Sequence, residues 1–168
     1  MPSSISIKAA KEAALSTNEL EDLSFIARQA SEIGGKILME HYGKLIEIKN
    51  KGRVGDLVTN ADITAERHIL EFLQKKTPSI PILAEESGSI GESGSLSWCV
   101  DPLDGTTNFA HGYPLFATSV GLTWQHKPIL GAISIPFLGE THWGAPSLGA
   151  FCNNTAIHVS SCSKLVDS

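Results

Sequence analysis

At 168 residues, with 42% hydrophobic and 18% charged residues, the chain can bury a single core. A net charge of −5 argues against nucleic acid, and the longest apolar stretch, 129–137, is broken by Gly131, Ser134 and Pro136, far short of the ~20 residues of a membrane span. Three cysteines, Cys99, Cys152 and Cys162, are odd in number and lack metal-ligand spacing, so they read as packing residues in a reducing compartment: the cytoplasm or, alternatively, a plastid stroma.

In chain order, residues 1–17 contain a single acid, Glu12, and no apolar core, and they read as a disordered leader. From a cap at Asn18, residues Leu20, Leu23, Ile26, Ala27, Ala30, Ile33, Ile37 and Leu38 recur at helical spacing as far as Tyr42. Residues 44–50 alternate as a strand. The acidic segment 56–62 then leads into a second helical pattern, Ile63, Glu66, Ile69, Leu70 and Leu73, with Asp62 in its first turn. Two short apolar runs follow, 80–84 and 98–100, each ending in acids: Glu85 and Glu86 after the first, Asp101 and Asp104 after the second. Strands are expected over 116–124, 129–136 and 140–143, and Asn153-Asn154 turns a hairpin between 150–152 and 156–159. This order predicts an α+β fold over 18–168, with helices layered on a largely antiparallel sheet.

The chemistry concentrates in WCVDPLDGTT, residues 98–107. A carboxylate at the end of an interior strand is followed by Pro102, which stiffens the turn, and by Gly105, which lets backbone approach a ligand. Thr106 and Thr107 offer hydroxyl and amide donors at an expected helix start, where anions bind. Acids beside an anion site call for a hard cation such as Mg²⁺. If the two acid-ended strands are neighbours, Glu85 and Asp101 share an ion, as a two-metal site with ions ~3.5–4 Å apart requires. Asp62, at a helix start, would orient a water or a threonine. Taken singly, Asp101 and Asp104 read as a solvated turn, Glu85 and Glu86 as a charged strand end and Asp62 as an early-turn helix residue; the flanking strand and GTT reverse the first reading, and partnership with Asp101 reverses the second for Glu85, with Glu86 the lesser candidate. Thr59 and Asn60 read as caps, His111 as structural, and His41, His68, His126, His142 and His158 as surface or packing residues.

In this order and at these distances, DLVTNAD (56–62), AEESG (84–88) and WCVDPLDGTTNFAHGYP (98–114) resemble the inositol monophosphatase family of Mg²⁺-dependent, lithium-sensitive phosphatases, over roughly residues 20–168. The resemblance implies a fold like that of inositol monophosphatase and fructose-1,6-bisphosphatase, and a small phosphorylated metabolite, inositol 1-phosphate or a similar sugar phosphate, hydrolysed by metal-activated water. It implies Glu85, Asp101 and the Leu103 carbonyl as ligands of one Mg²⁺, Asp101 and Asp104 as ligands of a second, and Glu85 beside a third. Thr106, helped by Asp62, would position the water, and Gly105 and Thr106 would receive the phosphate. Lys51, in the 51–55 loop, would help close over the site, and a homodimer is implied.

The family pattern also includes a C-terminal Trp-Asp segment whose Asp completes the second metal site, whereas Trp98, Trp124 and Trp143 precede Cys99, Gln125 and Gly144. The chain is therefore expected to be truncated at its C-terminus, either a fragment of a longer enzyme or a short form with impaired catalysis. The alternative function is a non-catalytic metal-binding or interaction module. Histidinol phosphate, fructose 1,6-bisphosphate and a nucleotide 3′-phosphate remain alternative substrates. A haloacid-dehalogenase-type phosphotransferase, with its phospho-aspartate intermediate, is disfavoured by the two residues between Asp101 and Asp104, which in a regular strand cannot both aim at one phosphorus.

Overall fold

The computed structural model describes residues 4–44, 48–50, 57–92 and 94–162. Helices α1 (Ser4–Glu12) and α2 (Thr17–His41) come first, then strands β1 (Ile48–Asn50) and β2 (Leu57–Thr59), and helix α3 (Asn60–Lys76). Strands β3 (Ile82–Ala84), β4 (Gly88–Ile90) and β5 (Leu96–Asp104) precede a short helix α4 (Thr106–Ala110). A meander completes the chain: β6 (Ala117–Trp124), β7 (Lys127–Ile135), β8 (Glu140–Ala145), β9 (Gly149–Cys152) and β10 (Thr155–Ile157). Except for β1 and β2, which pair separately, the strands form one eight-stranded sheet in the order β10-β9-β8-β7-β6-β5-β3-β4. Every neighbouring pair is antiparallel save β3 with β5. This is the expected α+β layering.

One face of the sheet is the core. Trp98, Val100, Val120, Leu122, Leu130 and Ala132 point to it and pack against Leu20, Leu23, Ala27, Ala30, Ile69 and Leu73 of α2 and α3. Alternation along the strands leaves small residues on the other face, with Leu83 and Ile133 half exposed there. Among the described residues no helix is long and apolar enough to cross a membrane.

Two expectations about the first forty residues are corrected. Residues 4–12 are helical rather than disordered, because Ala9 and Ala10 are small enough for α1 to lie flat on the sheet, and both are buried in the core. The cap of α2 is Ser16, not Asn18: Ser16 and Glu19 form a reciprocal capping box. Starting there sets Leu15 before the cap and Leu20 at the fourth helical position, both against the core, in the hydrophobic-staple arrangement.

Helix α2 approaches the sheet through glycine. A Cβ on Gly34 would stand 2.6 Å from Thr118 Cγ2 and 2.8 Å from Ile69 Cδ1, and Thr118 Oγ1 donates to the Pro102 carbonyl at 2.9 Å. The close approach therefore bears on the strand that carries the acids. Gly34→Ala would gain up to about 1 kcal/mol of helix propensity but force an overpacking cost of about 1–3 kcal/mol. The expected result is a fall in Tm of roughly 2–8 °C by calorimetry. An unchanged or raised Tm would show that the contact yields freely.

Candidate functional site

β3 and β5 run parallel and adjacent, with Ala84 opposite Val100. The Glu85 amide extends that ladder by donating to the Val100 carbonyl at 3.1 Å, so Glu85 follows its strand out beside Asp101. The neighbouring placement expected for the two acid-ended strands holds.

The geometry at Asp101 and Asp104 departs from expectation. Residues three apart on a regular strand face opposite sides of a sheet. Here Asp101 pairs with Ser119 and Asp104 with Ala117, three residues of β5 spanning two of β6, so the strand carries a bulge. Ser119 and Ala117 share a face, and both aspartates therefore emerge on it. The extra length is taken up by Pro102 and Leu103, which are buried, the latter at 1% exposure. The argument from alternation against a shared target for these two carboxylates thus fails. Glu85 and Asp101, with Leu83, Cys99, Ser119 and Gly121, line a shallow hollow of about 550 Å³.

Asp101 bears the electrostatic cost of this crowding. Its carboxyl is pushed up to about 7, first by burial, then by the hydrogen bond and charge of Glu85 and by the charge of Asp104; the Leu103 amide, 3.1 Å from Oδ1, opposes the shift. Repulsion of this kind is what a divalent cation relieves. The donors are all oxygen, from three carboxylates and the nearby Leu103 carbonyl, which suits a hard ion of the Mg²⁺, Mn²⁺ or Ca²⁺ class. The residues present fit such an ion.

Beside the carboxylates sits a hydroxyl with its own acid. Thr59 caps α3, and Asp62 returns the capping box by accepting from the Thr59 amide at 2.9 Å and from its hydroxyl. The second oxygen of Asp62 faces Thr106 Oγ1 at 3.3 Å, and that hydroxyl also lies 3.0 Å from the Leu103 carbonyl. Asp62 is 1% exposed, and burial is the main cause that raises its pKa, against the lowering effect of its hydrogen bonds to Thr59 and Thr106. Gly105 turns the chain between β5 and α4 at φ +90°, where a side chain would be strained and a Cβ would stand 3.0 Å from the Leu115 carbonyl.

Aromatic packing fixes this corner from below. Phe109 and Phe116 meet edge to face at 4.9 Å, Tyr42 lies within 5.7 Å of both, and its hydroxyl donates to the Gly112 carbonyl at 2.6 Å. The ring of His111 bonds the Thr107 carbonyl of its own helix at 2.8 Å, in keeping with a structural role. Thr59 is a cap as expected, and Asn60 is the first residue of α3. Lys51 lies outside the described residues.

Sequence reasoning missed Glu66. This residue is 2% exposed, and its carboxylate accepts from the Glu86 amide at 2.8 Å and from the Ser87 hydroxyl, holding the turn that presents Glu85. Its signal was present: an acid on the apolar stripe of α3, three residues before Ile69.

By fold and site the chain is a layered α+β protein with a carboxylate centre on one sheet face. It belongs to the inositol monophosphatase family, whose model matches residues 19–168. It is 43% identical over 157 residues to an inositol-1-monophosphatase of Synechocystis, covering 93% of this chain and 55% of that one. A fructose-1,6-bisphosphatase/inositol-1-monophosphatase of Aquifex aeolicus is 40% identical over 136 residues, 80% of this chain and 51% of that one. Among solved structures, the extragenic suppressor protein SuhB of Bartonella henselae superposes with a TM-score of 0.78 at 38% identity, covering 83% of this chain and 55% of that one. The chain thus spans about half the length of the relatives it matches. Family membership also answers the dehalogenase-type alternative, which alternation alone did not.

Two predictions follow from this geometry. Asp101 is raised from 3.8 to about 7, so the folded state holds its proton more tightly than the unfolded chain, and the stability this confers is full below pH about 4 and lost as pH rises through about 7. Asp62, also raised, contributes with the same sign. Without divalent cations Tm should fall across this window, and Asp101→Asn should flatten the fall; an equal slope in the variant would contradict the assignment. If the centre holds a hard divalent cation, Glu66→Ala should weaken its binding about 10-fold by calorimetric titration, with partial recovery in Glu66→Gln. Wild-type affinity in the alanine variant would show that the turn holds without it.

Proposed function

We propose that the chain carries the carboxylate and threonine part of a Mg²⁺-dependent phosphomonoesterase centre acting on inositol 1-phosphate or a similar small sugar phosphate. What supports this reading most is the bulge of β5, which sets Asp101 and Asp104 on one sheet face next to Glu85 and one turn away from Thr106. Glu85, Asp101 and the Leu103 carbonyl would hold one Mg²⁺, and Asp101 with Asp104 a second. When bound, Mg²⁺ neutralises phosphate charge and lowers the pKa of a coordinated water.

The chain's own groups do the rest. The single proton of Thr106 Oγ1 is shared between the Asp62 carboxylate and the Leu103 carbonyl, which leaves the hydroxyl's lone pairs free to accept from a water and aim it. Buried Asp62, its pKa raised, is the proton acceptor behind that hydroxyl. Gly105, left-handed and with no room for a Cβ beside the Leu115 carbonyl, lets the chain reverse from β5 into α4, whose first amides would receive the phosphate. Phosphate monoesters hydrolyse so slowly unaided that neutralisation and placement together must supply most of the rate.

A second reading, metal binding without turnover, draws on the same carboxylates, since the crowding of Asp101 by Glu85 and Asp104 calls for a cation whether or not a substrate is turned over. Phosphate release from inositol 1-phosphate with and without Mg²⁺ separates the two, and fructose 1,6-bisphosphate belongs in the same assay because the Aquifex relative's name includes it. Mg²⁺-dependent release is expected, abolished by Asp101→Asn and slowed about 10²–10³-fold by Thr106→Ala with metal affinity unchanged. Mg²⁺ binding without release selects the second reading, and full activity in Asp101→Asn contradicts both.

A further inference from the structure

On the open face of the sheet lies a second group of donors of different chemistry. The ligand atoms of Glu140, His142 and Cys152 all lie within 4.8 Å of one another. Their convergence follows from register. Glu140 and His142 are two apart on β8 and so share a face, and Cys152 of β9 stands directly opposite His142. Glu140 Oε2 and His142 Nε2 are 2.9 Å apart, and their side chains are 41% and 36% exposed, so an ion can reach them from solvent.

The hairpin that carries these donors is held at its Asn153 end and from beneath. Asn153 Oδ1 accepts from the Thr141 amide at 2.9 Å, the Asn153 amide donates to the Thr141 carbonyl at 2.7 Å, and the Trp143 indole donates to the Asn153 carbonyl at 3.0 Å. On the opposite face Trp143 stacks on Phe151, with ring centroids 4.3 Å apart and planes 12° from parallel. Arg28 of α2 lies 5.2 Å over the same indole. The backbone that carries the three donors is therefore held in place, which limits the ordering cost of binding to that of the side chains themselves.

We propose that Glu140, His142 and Cys152 form a second metal site, for a zinc-class divalent cation, with water in the fourth position. A thiolate, an imidazole and a carboxylate make up the donor set that Zn²⁺ takes in tetrahedral sites, whereas hard Mg²⁺ avoids sulfur. Binding would deprotonate the Cys152 thiol and release that proton to solvent. The site is separate from the carboxylate centre. Asp101, Ser119, Ile133, His142 and Cys152 lie on one register row, which sets three strand spacings, about 14 Å, between Asp101 and His142. Sequence spacing alone did not reveal the cluster, because His142 and Cys152 meet only through strand pairing.

Co²⁺ titration of the reduced full chain tests the proposal, since a thiolate ligand gives a sulfur-to-cobalt charge-transfer band in the near ultraviolet. One equivalent should develop the band, equimolar Zn²⁺ should erase it, and excess Mg²⁺ should leave it. Cys152→Ser should abolish it and His142→Asn should weaken Co²⁺ affinity at least about 10-fold, whereas Cys99→Ser, Cys162→Ser and Asp101→Asn should retain it. No band in the wild type, or a band that survives in Cys152→Ser, would overturn the site.

Discussion

One extra residue in β5 decides what this sheet can do. Without the bulge between Asp101 and Asp104, strand alternation would turn one of the two carboxylates into the core, where an unpaired charge is untenable. With it, Pro102 and Leu103 both turn inward, the Pro102 carbonyl is met by Thr118, and the two acids share the open face with Glu85. The same kink delivers Gly105 to its left-handed turn and brings Thr106 back to within 3.0 Å of the Leu103 carbonyl. Bulges beside functional groups serve to re-aim side chains in this way.

The arrangement is held against its own repulsion. Asp101 is driven toward neutrality by burial and by two neighbouring carboxylates, and Asp62 by burial alone, so above pH about 7 the site adds little to the stability of the metal-free fold. What holds it lies around it: Glu66 pins the turn of Glu85, the Thr59 capping box fixes Asp62, and the Tyr42, Phe109 and Phe116 cluster supports the corner after α4. Glycine at position 34 lets α2 close on Thr118 and completes the support. Stability surrenders something at the centre and is recovered in the shell, the usual relation between a functional site and its scaffold.

Much of this was legible in the residues. Apolar runs that end abruptly in acids at 85 and 101 reveal two strands with charge at their carboxyl ends, and the meander after 116 follows from alternation and the Asn153-Asn154 turn. What stayed hidden depends on pairing or close packing. The bulge is a property of β5 against β6 and leaves no mark in β5 alone. β4 is only Gly88–Ile90, too short to show a pattern beside the acids before it. The helicity of residues 4–12 rests on Ala9 and Ala10 meeting the sheet, and the start of α2 on Leu15 and Leu20 flanking Ser16, rather than on composition. Glu66 was visible as an acid on an apolar stripe, yet its partners, the Glu86 amide and Ser87, lie 20 and 21 residues away.

The account turns on whether Glu85, Asp101 and Asp104 grip one small region of space. Crystals grown with Mn²⁺, a scattering stand-in for Mg²⁺, test that directly through anomalous difference density. A peak coordinated by Glu85 and Asp101 together is the expected result. Manganese bound to neither carboxylate, or to Asp104 alone, would contradict it.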